Sequence, residues 1–396
     1  MRDVLGPGTI LGYCTNVHAG ATLEQIKANL ETYALAVKRR MSPDEPMGVG
    51  LWFPALVADA LVNQPGGVER LRDWLLERGL LAYTLNGFPY GDFHGEVVKR
   101  SVYLPDWSHP ERAAYTLNLM DILHRLLPEG AEGSISTLPL GWSGALAPGW
   151  ARNLGNVIDA LRGLHRQTGR LIHLDLEPEP GCEIEDATRL PTLLALIDTH
   201  EEDPEAFRRH LRICHDICHG AVMFEQPTSM LDWSRASGIK VGKVQISSAL
   251  RVPFQGRSAA EQAAMRAELE AFSEARYLHQ TAIGGGAPAR PREFFADLPD
   301  ALAAHPRGNG EWRVHFHVPV DLESIGRLET TQSHIVAFLR ALRPEDGIHH
   351  FEVESYAWNV LPPALRSDDL AGAVARELLW VRELAAKVGL GAEAAP

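Results

Sequence analysis

Strand-like and helix-like hydrophobic periods alternate along this chain from near its start, and that alternation restricts the fold more than any other feature. "ILGYCTNVH" (10–18) reads as a strand, and "TLEQIKANLETYALAVKRR" (22–40) follows as an amphipathic helix with Thr22 and Gln25 in capping-box spacing. Further strands are read at 47–53, 80–88, 133–141, 171–181, 213–219, 242–250, 312–320 and 349–355, most of them separated by helical stretches. Strands alternating with helices call for a parallel sheet, and this many units point to an α/β fold of the eight-stranded (β/α)8 TIM-barrel type. No glycine-rich phosphate fingerprint follows the first strand, which argues against a dinucleotide-binding sheet.

Nine strands are read for eight places. The one assigned outside the barrel is "WRVHFHVPV" (312–320), because it follows 251–310, a stretch with its own helix, the glycines Gly284 to Gly286 and several prolines. Residues 1–396 are accordingly read as a single barrel domain, with 251–310 as an insertion or lid over the C-terminal barrel face.

The late strands share one pattern. In "LIHLDLEPEPG" (171–181), Ile172, Leu174 and Leu176 alternate with His173, Asp175, Glu177 and Glu179. "HHFEVES" sets Phe351 and Val353 against His350, Glu352 and Glu354; "VHFHVPV" sets Val314, Phe316 and Val318 against His315 and His317; "KVQIS" sets Val244 and Ile246 against Gln245. In a parallel barrel one strand face packs on helices and chemistry collects at the C-terminal strand ends. An apolar jacket around a polar centre follows, with carboxylate, imidazole and amide oxygen groups that suit a divalent ion such as manganese, zinc, cobalt or magnesium. Each residue alone has a plainer reading: a single buried histidine bonded to backbone, or Glu352 paired with Lys243. The metal reading rests on Glu177, Asp216, Gln245, Glu354, His315 and His317 together.

Composition limits the partners. A net charge of −13 repels phosphate backbones, so nucleic acid is not expected. The acidic run EEDPE (201–205) reads as a solvated helix start. No apolar run approaches the ~20 residues that span a bilayer, so no membrane insertion is expected and the chain reads as cytoplasmic. Its four cysteines are too few and too irregular for a disulfide framework or a four-thiolate zinc site.

At these residues the chain resembles the xylose-isomerase-like barrels, the sugar isomerase and epimerase superfamily that also includes apurinic endonucleases of the endonuclease IV type. The superfamily's metal centre uses a Glu ending the fifth strand, an Asp-x-x-His on the sixth, a His or Gln on the seventh and a Glu on the eighth. Glu177, "DICH" with Asp216 and His219, Gln245 and Glu354 match that order. The phrases "GYCTNVHAG", "HLDLEPEPGC", "CHDICHGAVMFE", "VHFHVPV" and "FEVESYAWNVLP" are similar to one branch, the EboE metabolite-traffic proteins. That resemblance implies a barrel protein acting on a metabolite precursor, beside prenyltransferase-like and dehydroquinate-synthase-like partners. The second and third strands lack the histidines of the three-metal endonucleases, with only His94 nearby, so one ion is expected rather than two or three. His315 and His317 stand where some relatives carry Asp-x-His.

The resulting expectation is a metal-dependent isomerase or epimerase of a small sugar, polyol or hydroxy-carbonyl compound, with Glu177 and Glu354 as the proton-transfer pair and His219 assisting. Asn16, His18, Asn86, His279 and Gln280 are the expected substrate contacts, the last two from the insertion. Two alternatives share the pocket: a non-catalytic protein that hands a precursor to partner enzymes, and a phosphoesterase of endonuclease IV type. A homodimer is common among such barrels, although no self-complementary patch stands out.

Overall fold

A computed structural model describes residues 1–396 apart from 93–94, 192, 195–202, 285–290, 292 and 391–396. His94, Glu201, Glu202, Gly285, Gly286 and the end of the C-terminal tail therefore lie outside the described residues.

Seven strands, β1 (Ile10–Tyr13), β2 (Met47–Leu51), β3 (Leu80–Asn86), β4 (Gly133–Thr137), β5 (Ile172–Leu176), β6 (Leu211–Asp216) and β7 (Val241–Ile246), are followed by six that form a separate antiparallel sheet. These six are β8 (Ser248–Pro253), β9 (Thr281–Gly284), β10 (Glu293–Phe295), β11 (Glu311–Val318), β12 (Ser324–Ile325) and β13 (Leu328–Thr330), in the order β10-β9-β11-β8-β13-β12. The last strand, β14 (His350–Val353), returns to the first sheet, where all pairs are parallel and the order is β1-β14-β7-β6-β5-β4-β3-β2. A bridge between Cys14 and Gly50 joins the two ends, and the sheet closes into a (β/α)8 barrel. The stretch 312–320 thus lies in the antiparallel sheet, outside the barrel.

Local chemistry accounts for where the elements stop. The capping box at Thr22 and Gln25 is formed, and the helix it starts runs through Leu23–Asn29, a wider turn at Leu30–Ala34, and Leu35–Met41. "ICHDICH" is not one strand: Asp216 ends β6 and its carboxylate accepts the His219 backbone N–H at 3.0 Å, which opens the helix Ile217–Val222. "GKVQISSAL" is likewise two strands that break at Ser247, whose hydroxyl donates to Asp216 Oδ1 at 2.7 Å and accepts from the Cys218 N–H at 2.9 Å. Both breaks lie at the C-terminal barrel end, where the sequence patterns run on past the true strand ends.

The alternation within strands is realised as an apolar jacket. Ile172, Leu174 and Leu176 join the main hydrophobic core, while His173 and Asp175 are fully buried on the other face. Inside the barrel, His173 Nδ1 lies 2.6 Å from Asp175 and its Nε2 3.1 Å from Glu132, and Lys243 Nζ lies 3.1 Å from Glu352. Thr84 donates a further hydrogen bond to Glu352. These buried polar groups are all partnered, as burial demands. Glu352 fits because residue 50 is glycine: a Cβ there would stand 2.3 Å from the carboxylate.

Candidate metal centre

Glu177 follows the last residue of β5, Asp216 ends β6, and Glu354 follows β14, so the ends of two neighbouring strands and of a third, one strand further round beyond β7, deliver three carboxylates to one place. One oxygen from each lies within 4.8 Å of the others. His219 comes from the first turn of the helix that Asp216 caps. The Asp-x-x-His spacing returns its ring to the carboxylate's side, with Nε2 3.9 Å from Asp216 Oδ2. Asp216, His219 and His317 form a second close group, and Glu179, His219 and His315 a third.

The three imidazoles are oriented alike. His219 Nδ1 lies 2.8 Å from the Pro178 carbonyl, His317 Nδ1 3.0 Å from the Glu354 carbonyl, and His315 Nδ1 2.9 Å from Gln280 Oε1. All three partners only accept, so each Nδ1 carries a proton and donates it, and each Nε2 presents a lone pair inward. This is how metal-ligating histidines are usually held. His219 Nε2 and His315 Nε2 are only 3.2 Å apart, and two lone pairs at that distance repel unless a proton or an ion lies between them.

The electrostatics agree. Burial, with Asp216 and Glu179 adding to it, pushes Glu177 up to about 8, and burial together with Glu177 and Asp216 pushes Glu354 well above the carboxylate range. Burial opposes charge on Asp216 too, but His219 and His317 outweigh it and hold the group below its usual value. His219 is raised in spite of its burial because Asp216, Glu179 and Glu177 surround it. Burial pushes His315 well below the ordinary imidazole value and His317 down to about 4. Glu177 Oε2, Glu179 Oε2, Asp216 Oδ2 and His317 Nε2 are buried without a hydrogen-bond partner. Buried acceptors are normally satisfied, and metal bound among these groups would satisfy them. The donor set therefore fits a metal.

The other expected residues divide. Asn16 and Asn86 line the cavity above the carboxylates, and Asn16 Nδ2 donates to Glu354 Oε1 at 3.1 Å. Gln245 is fully buried beside Asp216 and Glu352 in register, with neither side-chain atom hydrogen-bonded. His18 turns away from the cavity, 2.8 Å from the Tyr13 hydroxyl and stacked on Tyr33. His279 and Gln280 sit behind the wall. His279 bonds Glu274 and the His315 carbonyl, and Gln280 holds Tyr103, Glu179 and the Pro180 carbonyl besides His315. Two groups at the centre fall outside the expected set: Glu179, legible as the next step of the 173, 175, 177 alternation, and Cys218, which lies within 4.8 Å of His315 and His317 and carries no separate signal in the sequence.

Fold and side chains together define a TIM barrel with a buried centre of carboxylates and imidazoles at metal-ligating spacing. No protein-family model and no curated protein matches the chain. Among solved structures it is similar to a xylose isomerase-like TIM barrel protein from Mycobacterium smegmatis in complex with magnesium, at 12% identity over 98% of this chain and 99% of that one, with a TM-score of 0.49. It is similar also to the IOLI protein with a binding zinc atom, at 12% identity over 96% and 97% with a TM-score of 0.46. A third, a family 2 AP endonuclease from Brucella melitensis, is 15% identical over 60% of this chain and 78% of that one, with a TM-score of 0.35.

Proposed function

We propose that the protein is a metal-dependent isomerase or epimerase of a small hydroxy-carbonyl compound. The observation that carries this reading is that three imidazoles turn their lone pairs inward beside the Glu177, Asp216 and Glu354 carboxylates, at the foot of a cavity lined by Glu177, Glu179, His219, His315, His317 and Glu354. Glu177, Asp216 and Glu354, with His219 and His317 beside them, would hold a divalent ion, and His315 with Glu179 offers room for a second. Imidazole in the donor set favours manganese, zinc or cobalt over magnesium. Such an ion polarises a substrate carbonyl and acidifies the neighbouring C–H.

The chain's own groups then do the proton work. One carboxylate of the Glu177 and Glu354 pair removes a proton from carbon, and the partner returns it to the adjacent carbon or to the opposite face. Asn16, through its bond to Glu354, orients that carboxylate, and the Pro178 carbonyl fixes the His219 tautomer. The likeness of sequence phrases to the EboE proteins supports placing this chemistry on a metabolite precursor. The hand-over reading keeps the pocket but needs no pair of bases.

Elemental analysis of protein purified without chelator, alongside Glu177→Gln and Glu354→Gln, tests the centre. Stoichiometric metal that is lost when both are changed is expected. The isomerase reading requires in addition that wild-type protein incorporate solvent deuterium into a carbonyl polyol, and that each single variant lose at least 100-fold of that exchange. Intact exchange in both single variants sinks the proposed pair.

A further inference from the structure

The cavity is two materials in series. Its floor is the carboxylate and imidazole centre; its walls are Phe88, Val98, Val102, Tyr103, Leu278 and Tyr356. Next in the chain to two of these wall residues, Val98 and Tyr103, stand Val97 and Leu104, which are 62% and 56% exposed. Among the described residues that line the cavity, Lys99 is the only lysine or arginine, and its Nζ is already committed, 2.5 Å from Asp297 Oδ2 and 3.4 Å from the Glu274 carbonyl. Lys243, deeper in the barrel, is taken by Glu352. Phosphate sites are built from free arginine and lysine side chains or rows of backbone N–H groups. This one instead presents three carboxylates, at Glu177, Glu179 and Glu354.

We infer that the substrate is a neutral, oxygen-rich head joined to an apolar body, and not a sugar phosphate. The head would meet the floor and the body the collar, much as an amphipathic ligand fills a pocket with a few placed polar groups and apolar walls. The assignment of the head rests on the isomerase reading; that of the body rests on the collar and on the pairing of Lys99.

Three probes with one head separate these possibilities: xylitol, mono-O-benzyl xylitol and xylitol monophosphate, titrated calorimetrically into manganese-loaded protein. None has a carbonyl, so none can be isomerised and binding is read apart from turnover. The benzyl compound is expected to bind at least tenfold tighter than xylitol, a preference of 1.4 kcal/mol that requires burying only roughly 55 Å² of apolar surface. The monophosphate is expected to bind no better than xylitol. Val102→Thr, with metal content as the check that the variant is folded, should cut the benzyl preference below threefold. A benzyl compound that binds no better than xylitol, or not at all, overturns the inference, as does a monophosphate that matches the benzyl compound. Solvent-exchange activity separates the two readings: a benzyl preference without exchange on any carbonyl polyol sinks the isomerase alone, and exchange without that preference sinks the amphipathic substrate alone.

Discussion

Single residues decide most of the chemistry here, and a buried carboxylate outside the centre gives a clean measure of what burial does. Glu377, on the helix Leu370–Lys387, is fully buried and accepts hydrogen bonds from the Val320 N–H at 3.0 Å, the Ser355 hydroxyl at 2.8 Å and the Trp358 indole at 3.2 Å. Burial outweighs these bonds and raises its pKa to about 7. A folded value above the unfolded one means that the native state binds the extra proton between the two values, so stability falls as pH rises from about 4.5 to about 7. Glutamine mimics the protonated acid and does not titrate. The stability of Glu377→Gln relative to wild type should therefore improve by about 3 kcal/mol between pH 4 and pH 8, measured by urea unfolding at each pH; a pH-independent difference would show that folding does not raise the Glu377 pKa. At this scale the placement of Glu177, Asp216, His219 and Glu354 is legible in the sequence, because each ends an alternating strand or sits one helical turn from a strand end. It misplaces His18, since the chain turns into the short helix Thr15–His18 immediately after β1 and the alternation no longer applies. Gln280 is visible only as polar; that it orients His315 depends on a contact between β11 and the segment before β9, which no local pattern encodes.

Between elements, what matters is how closely strands and their side chains approach inside the barrel. The eight βα units were legible because the periods switch cleanly, and the ninth strand could be set aside on its long irregular approach. The breaks at Asp216 and Ser247 were not, because both residues are compatible with an extended strand and only their mutual hydrogen bond, with the cap on His219, stops it. The inner layer has a stricter requirement. Gly50 on β2 faces Glu352 on β14 across the interior, and its φ is not in the left-handed region, so the demand there is for space alone. Gly50→Ala would put a methyl 2.3 Å from a carboxylate that is already bonded to Lys243 and Thr84. Neither side of that contact can yield cheaply: moving Glu352 leaves the Lys243 ammonium buried without its partner. A loss of about 3 kcal/mol is expected, at the upper end for overpacking, read as a lower denaturation midpoint with an unchanged slope. An alanine variant within 0.5 kcal/mol of wild type would mean that the interior is looser than this packing.

For the whole molecule, the centre crowds carboxylates at a cost in stability that a bound cation would offset. Glu177, Asp216 and Glu354 crowd their oxygens within 4.8 Å, in a chain that already carries a net charge of −13. Without metal the protein relieves this by keeping protons on Glu177 and Glu354, which is what their raised values express, and by favouring charge on His219. An ion that binds the folded centre and not the unfolded chain adds RT ln(1 + [L]/Kd), about 2.7 kcal/mol at a hundredfold excess over Kd. Chelation should accordingly lower the melting temperature, and restored manganese or zinc should return it. Because the ligands must shed protons to bind, the same metal should stabilise less as pH falls. The sign separates this from nonspecific salt effects: sodium or potassium at equal ionic strength should leave the melting temperature nearly unchanged, since the centre is buried and poorly screened. The double variant Glu177→Gln and Glu354→Gln should lose the metal increment and yet melt no lower than chelated wild type, because removing two crowded acids relieves the repulsion that the metal otherwise offsets. If that variant melts well below chelated wild type, the carboxylates are held by interactions other than a cation, and the centre is a hydrogen-bonded pocket.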